Sequence, residues 1–362
     1  MAFVGSVGLG IPKHELYQDE VKQLITNIFP YNEKQLARLM PVYDNALIEK
    51  RQLVVEASWF KESHTFKEKN DLYQKYAIDY SLEAMDRCLS NQTNLSDSIP
   101  YEAIDTIAFV SSTGIATPSL DAHLINERPF RNDVSRMPLW GLGCAGGASG
   151  LSRVFDWITA HPTKTALLVC CELCSLTFQR EDSSKSNIVG TALFGDGASA
   201  ALIIGEDSPY RRYQKKTMPK IVKTSSHIEK DTLSVMGWDV TNDGLGVIFS
   251  KSIPSLVNTL WKDHLTQFLS DNQIVKDSIH SYIAHPGGKK VLEAMENVLQ
   301  LTDDKFRYSY QVLKDHGNVS SATVLYVLHE WMKETVPVQE LSILSALGPG
   351  FSSELLLLEW GK

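Results

Sequence analysis

Two stretches of small residues, each opening an apolar helix, constrain this chain more than any other feature: Gly143-Cys144-Ala145-Gly146-Gly147-Ala148-Ser149 and Gly317-Asn318-Val319-Ser320-Ser321-Ala322. After the first, Leu151, Val154, Phe155 and Ile158 fall at i, i+3, i+4 and i+7, the stripe of a helix with a buried face. After the second, Leu325, Leu328 and Met332 play the same part. Other features repeat in the same order. Apolar runs at Ile104–Ser111 and Ala166–Cys171 read as strands, the second covered on both sides, and Ser281–His285 reads as a strand ending at Pro-Gly-Gly. A glycine-bracketed apolar segment, read as a hairpin, occurs at Thr191–Ile204 (TALFGDGASAALII) and again at Ala346–Trp360 (ALGPGFSSELLLLEW). The polar stretch Glu206–Pro219 then joins a half at residues 1–205 to a matching half at residues 219–362. Duplicated strand–helix halves predict an α/β fold in which helices cover packed sheets, with a site at the pseudo-symmetric junction.

The charge balance narrows the partners. Lys and Arg number 35 against 43 Asp and Glu, a net charge of −8, which argues against nucleic acid as the main partner. No apolar run approaches the ~18 residues of a membrane span. The start of the chain reads as a strand, Ala2–Leu9, rather than a signal peptide, and five cysteines without an export signal suggest reduced thiols in the cytoplasm. Helices are expected over Tyr17–Phe29 and Asn70–Leu89. Cys171 and Cys174 form a C-x2-C pair with no second pair or nearby histidine, so no metal is expected.

Three residues suggest chemistry together that none establishes alone. Cys144, at a helix opening among glycines, has oriented N–H groups and a partial positive charge to favour its thiolate. It also has the ordinary reading of a core cysteine. His285 sits at a strand end, where a side chain can face a cleft, and Asn318 opens its own helix, where it would also serve as a cap. A thioester-using enzyme needs this set: a thiol to attack the carbonyl, an imidazole to take the proton and pair with the thiolate, and an amide to hold a developing oxyanion.

GLGCAGG, AHPGG after a strand, GNVSS at a helix start and LGPGF before the last strand occur with separations of 141 residues from Cys144 to His285 and 33 from His285 to Asn318. In this order and spacing the chain resembles the type III polyketide synthases, the chalcone and stilbene synthase relatives within the thiolase-like superfamily. The motifs cover roughly residues 100–362, and the likeness extends more loosely over the first hundred. The resemblance implies a thiolase-like, internally duplicated fold layered α-β-α-β-α, and a homodimer working on acyl-CoA and malonyl-CoA without a further cofactor. It implies Cys144 as the acyl-carrying nucleophile, with His285 and Asn318 stabilising the enolate left when malonyl-CoA loses carbon dioxide. Phe194 would gate the coenzyme A tunnel, and Thr177, Ser320, Gly190 and Gly287 would line the substrate pocket.

The chain departs from the plant pattern. Val247 stands where a second gating phenylalanine is expected, so one aromatic wall looks absent. Thr117 replaces the methionine that enters the partner subunit's cavity. Asn45 occupies a basic phosphate-binding position, leaving Lys34 and Arg38 as candidates for the coenzyme A phosphates. The loss of bulk at Val247 and Thr117 suggests a long-chain fatty acyl-CoA starter and an alkylpyrone product. The alternatives are a malonyl-only aromatic product and a ketoacyl synthase of fatty-acid initiation, with a non-catalytic thiolase-fold binding protein as a reading from another class. An enzyme forming hydroxymethylglutaryl-CoA would use an acidic base in the role of Asn318.

Overall fold

The structure, a computed structural model, describes residues 1–250, 252–301 and 304–361. Nine strands form one mixed sheet: β1 (Ala2–Gly10), β2 (Thr106–Ser111), β3 (Ser135–Trp140), β4 (Thr165–Leu173), β5 (Asp196–Gly205), β6 (Met218–Ile228), β7 (Ile279–Ala284), β8 (Leu341–Gly348) and β9 (Ser352–Gly361). They lie in the order β7-β8-β9-β6-β1-β5-β4-β2-β3. The duplication is visible in the pairing. In the first half, β1 pairs antiparallel with β5, β5 antiparallel with β4, and β4 parallel with β2. In the second half, β6 pairs antiparallel with β9, β9 antiparallel with β8, and β8 parallel with β7. Strand β3 extends the first half alone, parallel to β2. Within the sheet, the halves join where β1 meets β6, at Ala2 with Ile221 and Phe3 with Lys220.

Successive strand side chains point to opposite faces, and here each face has its own core. Along β4, Leu167, Val169, Cys171 and Leu173 pack with the helix Phe66–Leu89, while Ala166, Leu168 and Cys170 face the other way. Along β9, Leu355 and Leu357 pack with helices Lys262–Asp271 and Lys289–Leu299, while Leu356 and Leu358 turn inward. The inward residues of both halves share one core with the helices Gly146–Ala160 and Thr323–Trp331. The layers are therefore α-β-α-β-α, and the two helices with small-residue openings form the middle one.

One expected hairpin is absent. Within Thr191–Ile204, residues up to Leu193 end the helix Lys185–Leu193, and β5 begins at Asp196 with β1 and β4 as its partners. Apolar runs do not by themselves distinguish helix from strand, and Gly-Asp-Gly here marks a joint. The Asp196 carboxylate fixes that joint, accepting from the Val54 N–H at 2.9 Å and the Ser175 N–H at 2.7 Å. Its counterpart is a true hairpin, with β8 and β9 paired from Leu341–Glu359 to Gly348–Ser352. A separate hairpin, Met236–Thr241 with Gly244–Phe249, packs on the helix Lys185–Leu193.

Candidate active site

The two helix openings meet at the centre. Cys144 lies in the turn Gly143–Ala145, just ahead of the helix Gly146–Ala160. Across from it, Asn318 precedes the turn Ser320–Ala322 and the helix Thr323–Trp331. A Cβ on Gly147 would stand 2.3 Å from the Ser321 carbonyl oxygen, so only glycine lets the openings approach this closely. As a result, Cys144 Sγ lies 3.9 Å from Asn318 Nδ2 and 3.7 Å from Ser320 Oγ. Ser320 reaches that position in a left-handed conformation, φ +46°, which is uncommon for a residue other than glycine.

Backbone contacts hold Asn318 in place. Its N–H donates to the Leu193 carbonyl at 2.8 Å, and its carbonyl accepts from the Gly195 N–H at 3.0 Å, bridging it to Phe194. Its side-chain Nδ2 donates to the Gly287 carbonyl at 3.3 Å, which ties it to the loop after His285. His285 follows β7, where its N–H extends the ladder to Ser345 at 2.8 Å. Cys144, Asn318 and the His285–Gly287 loop thus converge from three parts of the chain.

Burial sets the electrostatics. Cys144 is 6% exposed and His285 is 3% exposed. Burial pushes the Cys144 thiol up to about 11, outweighing the opposing pull of Ser320 and Asn318. Burial also drives His285 down to about 3, and both of its ring nitrogens are buried without a hydrogen-bond partner. Burial therefore opposes the thiolate–imidazolium pair that the sequence suggests. Two charges taken out of water carry a cost that the helix opening has to offset. A buried imidazole with two unpartnered nitrogens, on the loop tied to Asn318, is a place for a ligand's polar atoms.

Glu172 escaped the reading of the sequence. It is fully buried near the end of β4, accepting from the Ser112 N–H at 3.0 Å, Thr113 Oγ1 at 2.9 Å and Ser321 Oγ at 2.6 Å. Burial raises its carboxyl to about 7, and its charge in turn helps raise Cys144. The available signal was a lone acidic residue in the apolar run TALLVCCEL.

Four further candidates gather along one crevice: Thr177, Gly190, Phe194 and Val247 all line it. An aromatic residue outside this lining stands on the neighbouring strand. Trp238 pairs with Val247 across the hairpin and sits 6.3 Å, ring centre to ring centre, from Phe194. Three candidates lie elsewhere. Lys34 and Arg38 are exposed on the helix Glu33–Leu39, and Thr117 is exposed in a separate groove beside Ile115 and Trp140. Among the described residues there is no cluster of His, Cys, Asp or Glu able to hold a metal, and no helix is long and apolar enough to cross a membrane.

Comparison with known proteins agrees with this geometry. Residues 1–208 match the family model of the N-terminal domain of chalcone and stilbene synthases, and residues 220–360 match that of the C-terminal domain. The chain is 43% identical to a putative chalcone synthase of Bacillus subtilis, over the whole of both chains. It is 35% identical to a 1,3,6,8-tetrahydroxynaphthalene synthase of Streptomyces peucetius, over 99% of this chain and 93% of that one. The crystal structure of 1,3,6,8-tetrahydroxynaphthalene synthase from Streptomyces coelicolor, a bacterial type III polyketide synthase, superposes with a TM-score of 0.91 at 27% identity, covering 99% of each chain. With both halves matched, the fold shared and relatives similar along their full length, this chain belongs to the chalcone and stilbene synthase family and is a type III polyketide synthase.

Proposed function

We propose that the chain extends a fatty acyl-CoA starter with malonyl-CoA on Cys144 and releases an alkylpyrone. The observation that carries the chemistry is the meeting of the Cys144 thiol with the Asn318 amide at 3.9 Å, the amide also being tied to the loop of His285, whose two nitrogens are unpartnered. Cys144 passes its proton to His285 as sulfur attacks the starter's thioester carbonyl, and coenzyme A leaves as its thiol. Malonyl-CoA then binds, its C–C bond to the carboxylate breaks, and carbon dioxide departs. The electron pair left behind is held as an enolate, its oxygen accepting from Asn318 Nδ2 and from the ring N–H of neutral His285. The enolate carbon attacks the carbonyl carbon of the acyl–cysteine thioester, the new C–C bond forms as the C–S bond breaks, and Cys144 leaves as the thiolate. A dry site strengthens each of these contacts.

The fatty acyl starter is supported by the apolar crevice that begins at Phe194, Gly190 and Val247. A malonyl-only aromatic product is the second reading, favoured by the 35% identity to a protein named for tetrahydroxynaphthalene synthesis. Mass spectrometry of products from malonyl-CoA with acyl-CoAs of graded length, an aromatic acyl-CoA and no starter separates them. Alkylpyrones that follow the supplied chain support the first reading. One aromatic product regardless of starter defeats it.

The chain is further proposed to work as a homodimer. Strand β3 is an open edge of the sheet, and Trp140 at its end is 55% exposed beside Ile115 and Thr117. An unpaired strand edge with exposed apolar side chains invites a second copy.

A further inference from the structure

The loop that carries His285 runs into a helix whose charges sit at the wrong end. The helix Lys289–Leu299 opens on Lys289 and Lys290, with no acidic residue in its first turn. A helix start carries a partial positive charge, which repels lysines and favours Asp or Glu. Arg38, by contrast, stands in the last turn of the helix Glu33–Leu39, where the negative end accounts for it. Lys289 reaches Glu293 at 3.6 Å, while Lys290 is exposed and meets no carboxylate among the described residues. No side chain caps this helix. The Val291 and Leu292 N–H groups return to the Gly288 carbonyl at 3.0 and 3.3 Å, which leaves those of Lys289 and Lys290 without a partner in the helix. His285 supplies an independent sign of a ligand. It is 3% exposed, both of its ring nitrogens lack a partner, and its ring faces Gly287, where a Cβ would stand 3.8 Å from Nε2. Only Pro286, Gly287 and Gly288 lie between it and the helix start. Leu193, whose carbonyl clamps Asn318, packs 3.6 Å from where a Gly288 Cβ would be. His285 and Lys290 are five positions apart, at most about 18 Å of extended chain.

We infer that the helix start at Lys289 and Lys290 binds the phosphates of the coenzyme A thioester, anchoring the far end of a substrate whose thioester is presented to His285 and Cys144. The ligand must join an anion to a neutral polar group. Oxyanions suit two ammonium groups and open N–H groups at a helix start, and a thioester carbonyl suits an unpartnered imidazole. Coenzyme A is built that way, with its phosphates and its thioester at opposite ends of the pantetheine arm. The bare backbone of Gly287 and Gly288 lets that arm pass close, with no side chain in its way. The two lysines thus weaken their helix and strengthen the hold on substrate. This rests on coenzyme A thioesters as substrates and on neither reading of the starter.

The test combines Lys289→Gln and Lys290→Glu in one full-length variant. Coenzyme A binding, measured by calorimetry, should weaken about tenfold or more. KM for malonyl-CoA should rise by a similar factor, with kcat within about twofold of the wild type. Malonyl-pantetheine, which lacks the phosphates, should keep its kcat/KM. Salt raised from about 0.05 to 0.5 M should weaken coenzyme A binding to the wild type far more than to the variant. Because the substitutions remove cations from a positive helix end, urea unfolding should show a variant at least as stable as the wild type, which separates lost binding from misfolding. Equal losses for malonyl-CoA and malonyl-pantetheine, or an unchanged affinity for coenzyme A, overturn the placement. So does a loss found on Arg38→Glu and not on the lysine variant. Calorimetry does not depend on turnover: a wild type that binds coenzyme A yet makes no product from malonyl-CoA with any starter defeats the proposed function, and the placement is then decided by the affinities alone.

Discussion

Glu172→Gln isolates the electrostatics of the site. The carboxyl titrates at about 7 in the folded chain against an ordinary 4.5, because it is fully buried. Between those values the folded chain keeps a proton that the unfolded chain has released. The stability it contributes is full below about pH 4.5 and is lost as pH rises through about 7. At roughly 1.4 kcal/mol per unit, the wild type should lose about 2–3 kcal/mol from this group between about pH 5 and pH 8. Glutamine imitates the neutral acid. Its carbonyl can accept from Ser112 and Thr113, and its amide can donate to Ser321 Oγ, so the network stays satisfied. Urea unfolding of both proteins across this range is the assay. The difference in stability, variant minus wild type, should grow by about 2–3 kcal/mol from about pH 5 to pH 8. Parallel profiles, differing by less than about half a kcal/mol across the range, would refute a buried acid titrating near neutrality. A second readout follows from the charge Glu172 places near Cys144. The variant's Cys144 should alkylate faster with iodoacetamide at pH 8, where wild-type Glu172 is ionised.

Cys144→Ala should abolish acyl loading, and a full acyl adduct on that variant by intact mass would remove Cys144 as the nucleophile. Wild-type Cys144 should alkylate slowly at pH 6.5 and faster toward pH 10, because burial holds its thiol near 11; a rate flat across that range would mean a preformed thiolate. Gly147→Ala should destabilise the fold by about 1–3 kcal/mol, since its Cβ would meet the Ser321 carbonyl at 2.3 Å, and unchanged urea unfolding would contradict that contact. Sedimentation at micromolar concentration should give a dimer, and Trp140→Lys on the open strand edge should shift it toward the 40.4 kDa monomer.

The parts of the site legible in sequence were those written in backbone chemistry. Glycines at 143, 146 and 147 announced a close approach, and the matching GNVSSA stretch announced what approached it. Because these are local requirements of a helix opening, the pattern survived without any knowledge of the sheet between. What stayed hidden depended on neighbours far along the chain. Trp238 acquires its place beside Phe194 only when the hairpin Met236–Phe249 folds, which a count at Val247 alone does not show. The helix Lys185–Leu193 was read as half a hairpin because Ala192 and Leu193 suit either state, and the Asp196 carboxylate that fixes the joint bonds to Val54 and Ser175. The lining of the crevice by Val21, Leu24 and Ile25 was likewise invisible, since their spacing says which face is buried but not against what.

Burial of Cys144 and His285 gives the proposed cycle a direction. A preformed thiolate would be ready for any electrophile, whereas Cys144 at about 11 and His285 at about 3 exchange a proton only at a cost. That cost falls when a substrate supplies hydrogen-bond partners to the orphaned imidazole and a carbonyl carbon to the sulfur, so activation is coupled to binding. The same burial serves the second half-reaction. Once acylated, Cys144 carries no charge, and the developing enolate is the anion for Asn318 Nδ2 and His285 to hold. Asn318 is suited to this because its position is not its own choice: the Leu193 carbonyl and the Gly195 N–H clamp its backbone. Arg51, itself buried, holds the same segment by donating to the Thr191, Ala192 and Phe194 carbonyls. A donor fixed in advance loses little on meeting the charge, and that is where electrostatic stabilisation of a transition state gains its strength.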